Sequence, residues 1–526
     1  MAQVSEIRAA SERPDRFRVV RNSASAVLLY FVNLVVTFLL SPVIVRALGN
    51  RDYGIWDLLL GLCGYLGLLE VGIGPALIRY VARSAAEGDQ LEVRRTLVTS
   101  SAALGVAGLV SLFSMSLVSL SPYRIFNIAP AESPHLRALC VLAGCNLMVQ
   151  FSGTAAVGYL MGMQEHYRIN LLRIVMAAVS AAATYLALTR GGGSGLLWLS
   201  SLLLAGNLIQ YGTFFLWVRK RMGRQAWSRR LFSRKKLEEL FRFGVNSSLM
   251  MLADRIQRQS VPFVIGHTVG VASIVFFSIP GRLVAYGSNL AAAIGFPLTP
   301  FFSAAEARGL SETRRAWLEA NRWLGLATMG MAVGLAVLGR DFIAIWIGGE
   351  YAEQAKWIVP LLGAAMFVEG MVSNSGRLLV SLGRHGRVAR KLVFISTGAI
   401  SAAIPAGMLF GMIGIVASVS LANICGSLVC WREACSCLRI GMLQHMRSVA
   451  VTSGPAVGAF AVCLAALKAA VRPADYAVLA GEAAAASIVY AAAVWHLTLD
   501  STGRKAVAGA MESLAARLAR RAVRIS

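Results

Sequence analysis

The chain of 526 residues is 57% hydrophobic and only 15% charged, and its mean hydropathy is +0.63. Soluble domains are about a quarter charged, so this composition excludes a soluble globular protein and predicts an all-α polytopic membrane protein. The net charge of +25 would suggest a nucleic-acid partner for a soluble protein. Here the basic residues fall in loops between apolar segments, and we predict no nucleic-acid partner.

The apolar segments begin with an uncharged run of 24 residues from Asn22 to Val45. This run is too long for the core of a signal peptide and long enough for a helix to cross the bilayer. Similar segments recur along the chain, and only a turn around Gly411 separates the eleventh from the twelfth. The fourteen predicted spans are 24–46, 54–78, 96–120, 138–162, 169–189, 194–218, 243–265, 272–302, 317–339, 357–382, 392–410, 411–431, 449–470 and 475–498.

Lys and Arg are distributed unequally between the two sides that these spans define. With the N-terminus in the cytoplasm, the cytoplasmic segments carry 37 basic residues and the opposite side carries 9. Because basic residues concentrate in cytoplasmic loops, we expect both termini to be cytoplasmic.

The most basic loop, residues 219–242, carries ten Lys and Arg. Each contributes about 1 kcal/mol near an anionic surface, so anionic membrane lipids are predicted partners. This loop is the predicted linker between residues 1–218, an N-terminal arm with a six-helix bundle, and a second six-helix bundle at 243–431. Two extra spans follow within 432–500. Residues 501–526 place arginines outside an apolar stripe, which is typical of a helix on the membrane surface; a helix that docks a partner is the alternative.

The two predicted bundles share residues at an offset of 220 or 221 positions. In each half a proline interrupts the first span, an arginine pair opens the third and a glycine ends the fourth. Because six spans is an even number, the repeats are predicted to run parallel, with the substrate path between them. The matching residues are Pro42 with Pro262, Arg94-Arg95 with Arg314-Arg315, and Gly162 with Gly383.

The seventh span, residues 243–265, carries Asp254, Arg255 and Arg258 near its middle. Each such charge costs about 2.5 to 3.5 kcal/mol at the centre of a membrane helix, so these residues are expected to face a bundle interior or a water-filled path. Arg258 lies about 40° from Asp254 on a helix and can pair with it, whereas Arg255 lies about 100° away. The alternative is that the Asp254–Arg258 pair only holds neighbouring helices.

Charged residues also fall inside other predicted spans. Arginines outnumber acids in the second half, and an excess of buried arginine suits an anionic cargo because the guanidinium matches phosphate oxygens. Arg377 could instead extend towards a membrane face. The predicted substrate-binding residues of a cavity are Arg255, Arg258, Arg282 and Arg377, and the residues predicted for coupling or charge pairing are Asp254, Glu70 and Glu369.

Three prolines, Pro42, Pro262 and Pro280, fall inside the first, seventh and eighth spans. Proline removes a helix hydrogen bond and frees a carbonyl that needs a protein or water partner. We predict that these prolines let the bundles bend during gating; simple packing kinks are the alternative.

No metal site, cofactor or catalytic site is predicted. The eight cysteines lie almost entirely in apolar segments without C-x-x-C spacing, and the six histidines are scattered. We therefore predict that the chain is not an enzyme.

Residues 48–89 resemble the polysaccharide-export branch of the multidrug/oligosaccharidyl-lipid/polysaccharide (MOP) exporter superfamily. Glu70 stands where family members often have Asp, and the first span lacks the arginine found in lipid II flippases. The residues that carry the likeness are Leu48-Gly49, Tyr53-Gly54, the Leu-Leu-Glu-x-Gly-x-Gly run at 68–74, Arg79-Tyr80-Val81 and, in the second half, Leu382-Gly383-Arg384.

The resemblance implies a flippase of the bacterial cytoplasmic (inner) membrane. Its expected cargo is an undecaprenyl-diphosphate-linked oligosaccharide for O-antigen, capsule or exopolysaccharide assembly, moved by alternating access between the two bundles. A polysaccharide polymerase and assembly proteins are the expected protein partners. A cation-coupled multidrug exporter, whose cavity would carry net acid, and a membrane glycosyltransferase or polymerase are the alternatives.

Overall fold

The structure is a computed structural model that describes residues 16–70, 72–130, 133–190, 194–223, 228–295, 298–471, 473, 475–499, 503–505, 508, 509 and 512. These residues are helical or lie in turns, and no strand occurs among them. The chain is therefore an all-α polytopic membrane protein, as predicted. Most of the predicted surface helix at 501–526 lies outside the described residues.

The α-helices follow one another with short connections, and the described residues of the fourteen predicted spans are mostly helical. The predicted tenth span, 357–382, is instead divided by a turn at residues 372–374 between two helices bent by 49°. Short 3-10 turns lie at Gly67–Glu70, Arg229–Leu231 and Val271–Ser273, and a π turn at Val494–Thr498 follows the last helix. The helices are α1 Arg16–Leu66, α2 Ile73–Ala86, α3 Gln90–Leu120, α4 Pro122–Phe126, α5 Leu136–Gly162, α6 His166–Arg190, α7 Gly195–Met222, α8 Arg234–Thr268, α9 Ile274–Gly295, α10 Leu298–Glu306, α11 Leu310–Trp346, α12 Gly349–Met371, α13 Ser375–Ser381, α14 His385–Leu438, α15 Met442–Ala470 and α16 Tyr476–Ala493.

Two helices are too long for a single crossing. α1 has 51 residues and α14 has 54, so at about 1.5 Å per residue each exceeds twice the roughly 30 Å of a bilayer core. Each is broken at a glycine with positive φ, Gly49 (φ 71°) in α1 and Gly411 (φ 60°) in α14. Glycine adopts this conformation without a Cβ clash. Each of these helices therefore supplies two spans, and the turn predicted at Gly411 is present.

The described chain packs as two compact units, Met1–Val275 and Phe276–Ser526. In the first unit α2, α3, α5 and α7 share an apolar core. Glycines of α5 allow α2 to approach closely, because a Cβ on Gly158 would lie 2.6 Å from Leu77 and one on Gly162 would lie 2.7 Å from Val81. α8 also belongs to this unit, where it packs on α1, α2 and α3.

The second unit is built around α11 and α12, on which α15 and α16 also pack. One of its cores contains Phe302, Trp317 and Trp431. Beside this core lies a buried polar contact, in which Trp431 donates to Nδ1 of His445 at 3.1 Å and Asn321 lies 3.2 Å from Nε2 of the same ring. Buried polar groups of this kind require partners, and here they connect α11, α14 and α15.

Candidate functional site

The site begins where the second span is broken. A 3-10 turn at Gly67–Glu70 and Gly72, which has φ 83°, separate α1 from α2. The break places Glu70 at a bend inside an otherwise apolar segment. Its carboxyl group lies beside Thr154 on α5, whose hydroxyl donates to the carbonyl oxygen of Gln150 at 3.0 Å, and within electrostatic reach of Arg255 on α8. Residues from three parts of the chain therefore converge here.

Arg255 lies against the bare backbone at the end of α1. Its Nη1 donates a hydrogen bond to the carbonyl oxygen of Gly64 at 2.8 Å, and a Cβ added to Gly67 would lie 2.8 Å from the same nitrogen. Within the described part of the chain this is the one hydrogen bond of Arg255, and the side chain is half-buried. Because a guanidinium carries five N–H donors, the described residues leave most of them to a ligand.

Glu70 and Arg255 line the same cavity, which has a volume of about 360 Å³ and lies within the first unit. Leucines of α1, α5 and α7 are the most frequent residues of its wall, with Trp56 among the other lining residues. The Nδ2 of Asn207 donates to Oδ1 of Asn146 at 2.7 Å and fixes that amide. The uncharged polar residues of the lining are Asn146, Gln150 and Ser200.

This lining can hold a ligand that has both an anionic group and uncharged polar groups. The cavity contains one guanidinium and one carboxyl group among apolar walls, and charge-assisted hydrogen bonds from arginine to phosphate or carboxylate oxygens are strong in such surroundings. The amides and the hydroxyl can both donate and accept hydrogen bonds. We therefore take this cavity as the candidate site.

Asp254 and Arg258 form the ion pair that their spacing predicts. Nε of Arg258 donates to Oδ1 of Asp254 at 2.6 Å, and the two side chains are 59% and 56% exposed. Neither residue lines the cavity. Arg255 and the pair thus lie on different faces of α8, and the binding role predicted for Arg258 stays a prediction.

The other predicted charged residues, Arg282, Glu369 and Arg377, lie in the second unit on α9, α12 and α13. Arg377 donates to Oδ1 of Asn374 at 3.2 Å and to the carbonyl oxygen of Ala292 at 3.4 Å. Glu369 attracts it electrostatically. Ala292 is in the last turn of α9, where exposed carbonyls favour a cation. Arg377 is therefore held by protein groups, and its contact with substrate stays a prediction.

The three predicted gating prolines lie inside helices and do not break them. Helical structure continues through Pro42, Pro262 and Pro280, so neither Pro42 nor Pro262 interrupts its helix as predicted. The break in α1 lies instead at Gly49, in the predicted connection between the first and second spans, because glycine permits the positive φ that a sharp break requires. Whether the prolines serve gating stays a prediction.

A polar stripe on α5 was not predicted from the sequence. Asn146, Gln150 and Thr154 recur at intervals of four residues in an apolar span and therefore share one helix face. The first two line the cavity and the third contacts Glu70. Regular polar positions in a membrane helix indicate an inward-facing surface, and this spacing was the available signal.

The fold is that of a polytopic α-helical membrane protein with a charged cavity in its first unit. Residues 19–306 match the family model described as polysaccharide biosynthesis protein. The chain belongs to this family.

Solved structures share this fold at low sequence identity. The lipid II flippase MurJ, in an inward closed conformation, is 13% identical over 90% of this chain and 97% of that chain, with a TM-score of 0.68. An inward-facing multidrug resistance MATE family transporter is 15% identical over 83% of this chain and 99% of that chain, with a TM-score of 0.64. A MOP superfamily transporter from Pyrococcus furiosus is 14% identical over 80% and 94%, with a TM-score of 0.56. No curated protein matches the chain in sequence.

Proposed function

We propose that the chain is a flippase that translocates undecaprenyl-diphosphate-linked oligosaccharide units across the bacterial cytoplasmic membrane for O-antigen, capsule or exopolysaccharide assembly. Membership of the polysaccharide biosynthesis family supports a glycan-related cargo. The similar fold of a lipid II flippase supports a cargo carried on a lipid diphosphate. On this proposal both termini are cytoplasmic, and a polymerase and assembly proteins receive the cargo outside.

The observation that carries the proposal is the state of Arg255. It lines the cavity, and it gives one hydrogen bond to the described residues. A diphosphate carries about two negative charges, whose burial without compensation would cost many kcal/mol. The N–H donors of Arg255 that the described residues leave unused supply such compensation, and Asn146 and Gln150 on α5 line the same cavity for sugar hydroxyl groups.

Glu70 has a complementary role in this proposal. It is the acid nearest the guanidinium in the cavity lining. It therefore balances the charge of Arg255 while the cavity is empty, and the diphosphate replaces it as the partner of Arg255 when cargo enters. Asp254 orients Arg258, and Arg258, Arg282 and Arg377 supply further positive charge along the path. Bending at the prolines accompanies the change of access.

A cation-coupled multidrug exporter is the second candidate, favoured by the fold shared with MATE family transporters. Its cavity would be expected to carry net acid, whereas one arginine and one glutamate line this one. A lipophilic cation would be repelled by Arg255 unless Glu70 fully compensated it.

The discriminating experiment is deletion of the gene, with analysis of lipid-linked glycan and drug susceptibility. The flippase proposal expects completed lipid-linked glycan to accumulate on the inner leaflet and the surface polymer to be lost. Unchanged surface polymer with increased sensitivity to cationic drugs would support the exporter instead. An incomplete glycan would identify the chain as an enzyme of glycan synthesis.

A further inference from the structure

Three glycines on one face of α1 and its 3-10 extension receive three side chains of α8. A Cβ on Gly61 would lie 3.0 Å from the ring of Phe263, and one on Gly64 would lie 2.3 Å from the amide carbon of Gln259. The third, Gly67, meets Arg255 at 2.8 Å. The glycines are spaced by three residues and their partners on α8 by four. This is the spacing of two helices that pack a ridge of every third residue against a groove between every fourth residue.

These glycines are required for space and not for backbone conformation. Neither Gly61, Gly64 nor Gly67 has a positive φ, so alanine could adopt the same backbone angles. Glycine in a helix interior costs about 1 kcal/mol relative to alanine. A run of three at regular spacing in α1 is therefore unfavourable locally, and the close contacts with α8 provide the compensation.

We propose that Gly64 and Gly67 are positioning residues that set the guanidinium of Arg255 at the cavity. This inference rests on the proposed function, in which Arg255 binds the diphosphate. The carbonyl oxygen of Gly64 fixes Nη1, and the missing side chain of Gly67 provides the space that the guanidinium occupies. The remaining N–H donors are thereby held in one orientation before the cargo arrives, which lowers the entropy cost of binding.

Gln259 supports the same arrangement from one turn along α8. Its amide lies against Gly64, and it is four residues from Arg255 and therefore on the same helix face. A side chain at residue 64 would push this amide along α8, whereas a side chain at residue 67 would displace the guanidinium itself. The two positions therefore act on different neighbours, and substitution at residue 67 is the direct test.

The test is Gly67→Ala, assayed by initial flipping rate in proteoliposomes with an undecaprenyl-diphosphate-linked sugar as the probe. We expect the rate to fall about tenfold, the loss expected when one charge-assisted hydrogen bond is misaligned. The matched control is Gly105→Ala on α3, because a Cβ there meets no atom within 4 Å. The control should retain the wild-type rate. A wild-type rate for Gly67→Ala would overturn the proposal.

A double-mutant cycle separates positioning from general damage to the fold. Lysine at residue 255 lacks the planar guanidinium with its paired N–H donors, and its flexible ammonium group can avoid the added methyl group. In an Arg255→Lys background, Gly67→Ala should therefore cause no further loss of flipping rate. An equal tenfold loss in both backgrounds would show that Gly67 acts on something other than Arg255. Coupling of this kind is what contacting residues display.

A structural readout makes the inference independent of the cargo. A cryo-EM structure of the Gly67→Ala protein should show the guanidinium displaced and its contact with Gly64 lost. An unmoved guanidinium would overturn the positioning role. If Arg255→Ala retains full flipping while the guanidinium is displaced by Gly67→Ala, the positioning role stands and the proposed binding role of Arg255 fails.

Discussion

Arg255 and Arg258 are close in sequence but have different surroundings. Arg258 contacts the carboxylate of Asp254 at 2.6 Å and is more than half exposed. Arg255 is half-buried and contacts a backbone carbonyl. A carbonyl is a dipole and does not cancel a full charge, so the positive charge of Arg255 remains available at the cavity, moderated by Glu70.

Arg255→Glu should abolish export while the protein still reaches the membrane, because the substitution reverses the field that an anionic cargo meets. Arg255→Lys should retain part of the activity, since the charge survives and only the fork is lost. The measurement is surface polymer restored by each variant in a deletion strain, with membrane abundance measured alongside. Full export by an abundant Arg255→Glu protein would show that the cargo passes elsewhere.

Asp254→Asn should be milder than Arg255→Glu. The substitution keeps the positive charge of Arg258 and removes only the carboxylate that orients it, so export should be reduced and not abolished. The same polymer assay applies, with thermal stability in detergent as the second measurement. An Asp254→Asn variant as inactive as Arg255→Glu would place the pair, and not Arg255 alone, on the cargo path.

At the level of the element, α8 is attached to its unit near its N-terminal end as well as along the glycine row. Nζ of Lys236 lies 2.6 Å from Glu92 on α3 and 2.8 Å from Glu239 on α8 itself. The same nitrogen lies 4.7 Å from the ring centre of Tyr80 on α2. Lys236 is buried, so these contacts fix the start of the helix that carries Arg255.

Lys236→Met should destabilise the protein by about 1 to 3 kcal/mol, because it leaves the partly buried carboxylate of Glu239 without its cation and leaves Glu92 with Arg95 alone. Lys235→Met is the matched control, since Lys235 is exposed and loses no contact of this kind. Thermal unfolding in detergent, followed by intrinsic fluorescence, provides the measurement. Equal unfolding temperatures for the two variants would mean that the contact does not hold α8.

The same contact predicts a pH dependence. The hydrogen bond from Lys236 lowers the pKa of Glu239 below its usual value of 4.5. Burial of Lys236 opposes its charged form, but its hydrogen bonds to Glu239 and Glu92 outweigh burial and raise the pKa of Lys236. A lowered carboxyl pKa stabilises the fold above the unfolded value and is lost as the pH falls through the folded value. The gap between wild type and Lys236→Met should therefore be constant from about pH 7 to about pH 5 and shrink below about pH 4. A constant gap down to about pH 3 would contradict this assignment.

The positions of the helices could be predicted from the sequence, but the contacts between distant helices could not. Hydropathy is a local property, so the predicted spans are mostly helical and the turn at Gly411 is present. The pairing of Arg258 with Asp254 followed from helix geometry alone. By contrast, the meeting of Glu70 with Arg255 depends on α1 and α8, which are distant in sequence and brought together by tertiary contacts. The break at Gly49 falls in the connection predicted between the first and second spans, 24–46 and 54–78.

At the scale of the whole molecule, the offset between the halves extends to helix boundaries. α3 begins at Gln90 and α11 begins at Leu310, 220 residues later, and the arginine pairs occupy the same positions within these helices. This supports an internal repeat. α8, with which the second repeat begins, nevertheless packs in the first unit. A sequence repeat and a packing unit are thus different divisions of the same chain.

The final prediction concerns the orientation of the chain in the membrane. The 37 to 9 distribution of basic residues predicts cytoplasmic termini under the rule that Lys and Arg mark cytoplasmic loops. Alkaline phosphatase fused after Ser526 should be inactive and a fluorescent protein at the same point should be bright. As a control, phosphatase fused after Val471, between α15 and α16, should be active. One crossing more or fewer before the C-terminus would reverse the result at Ser526, so an active phosphatase there would rule out an even number of spans with a cytoplasmic N-terminus.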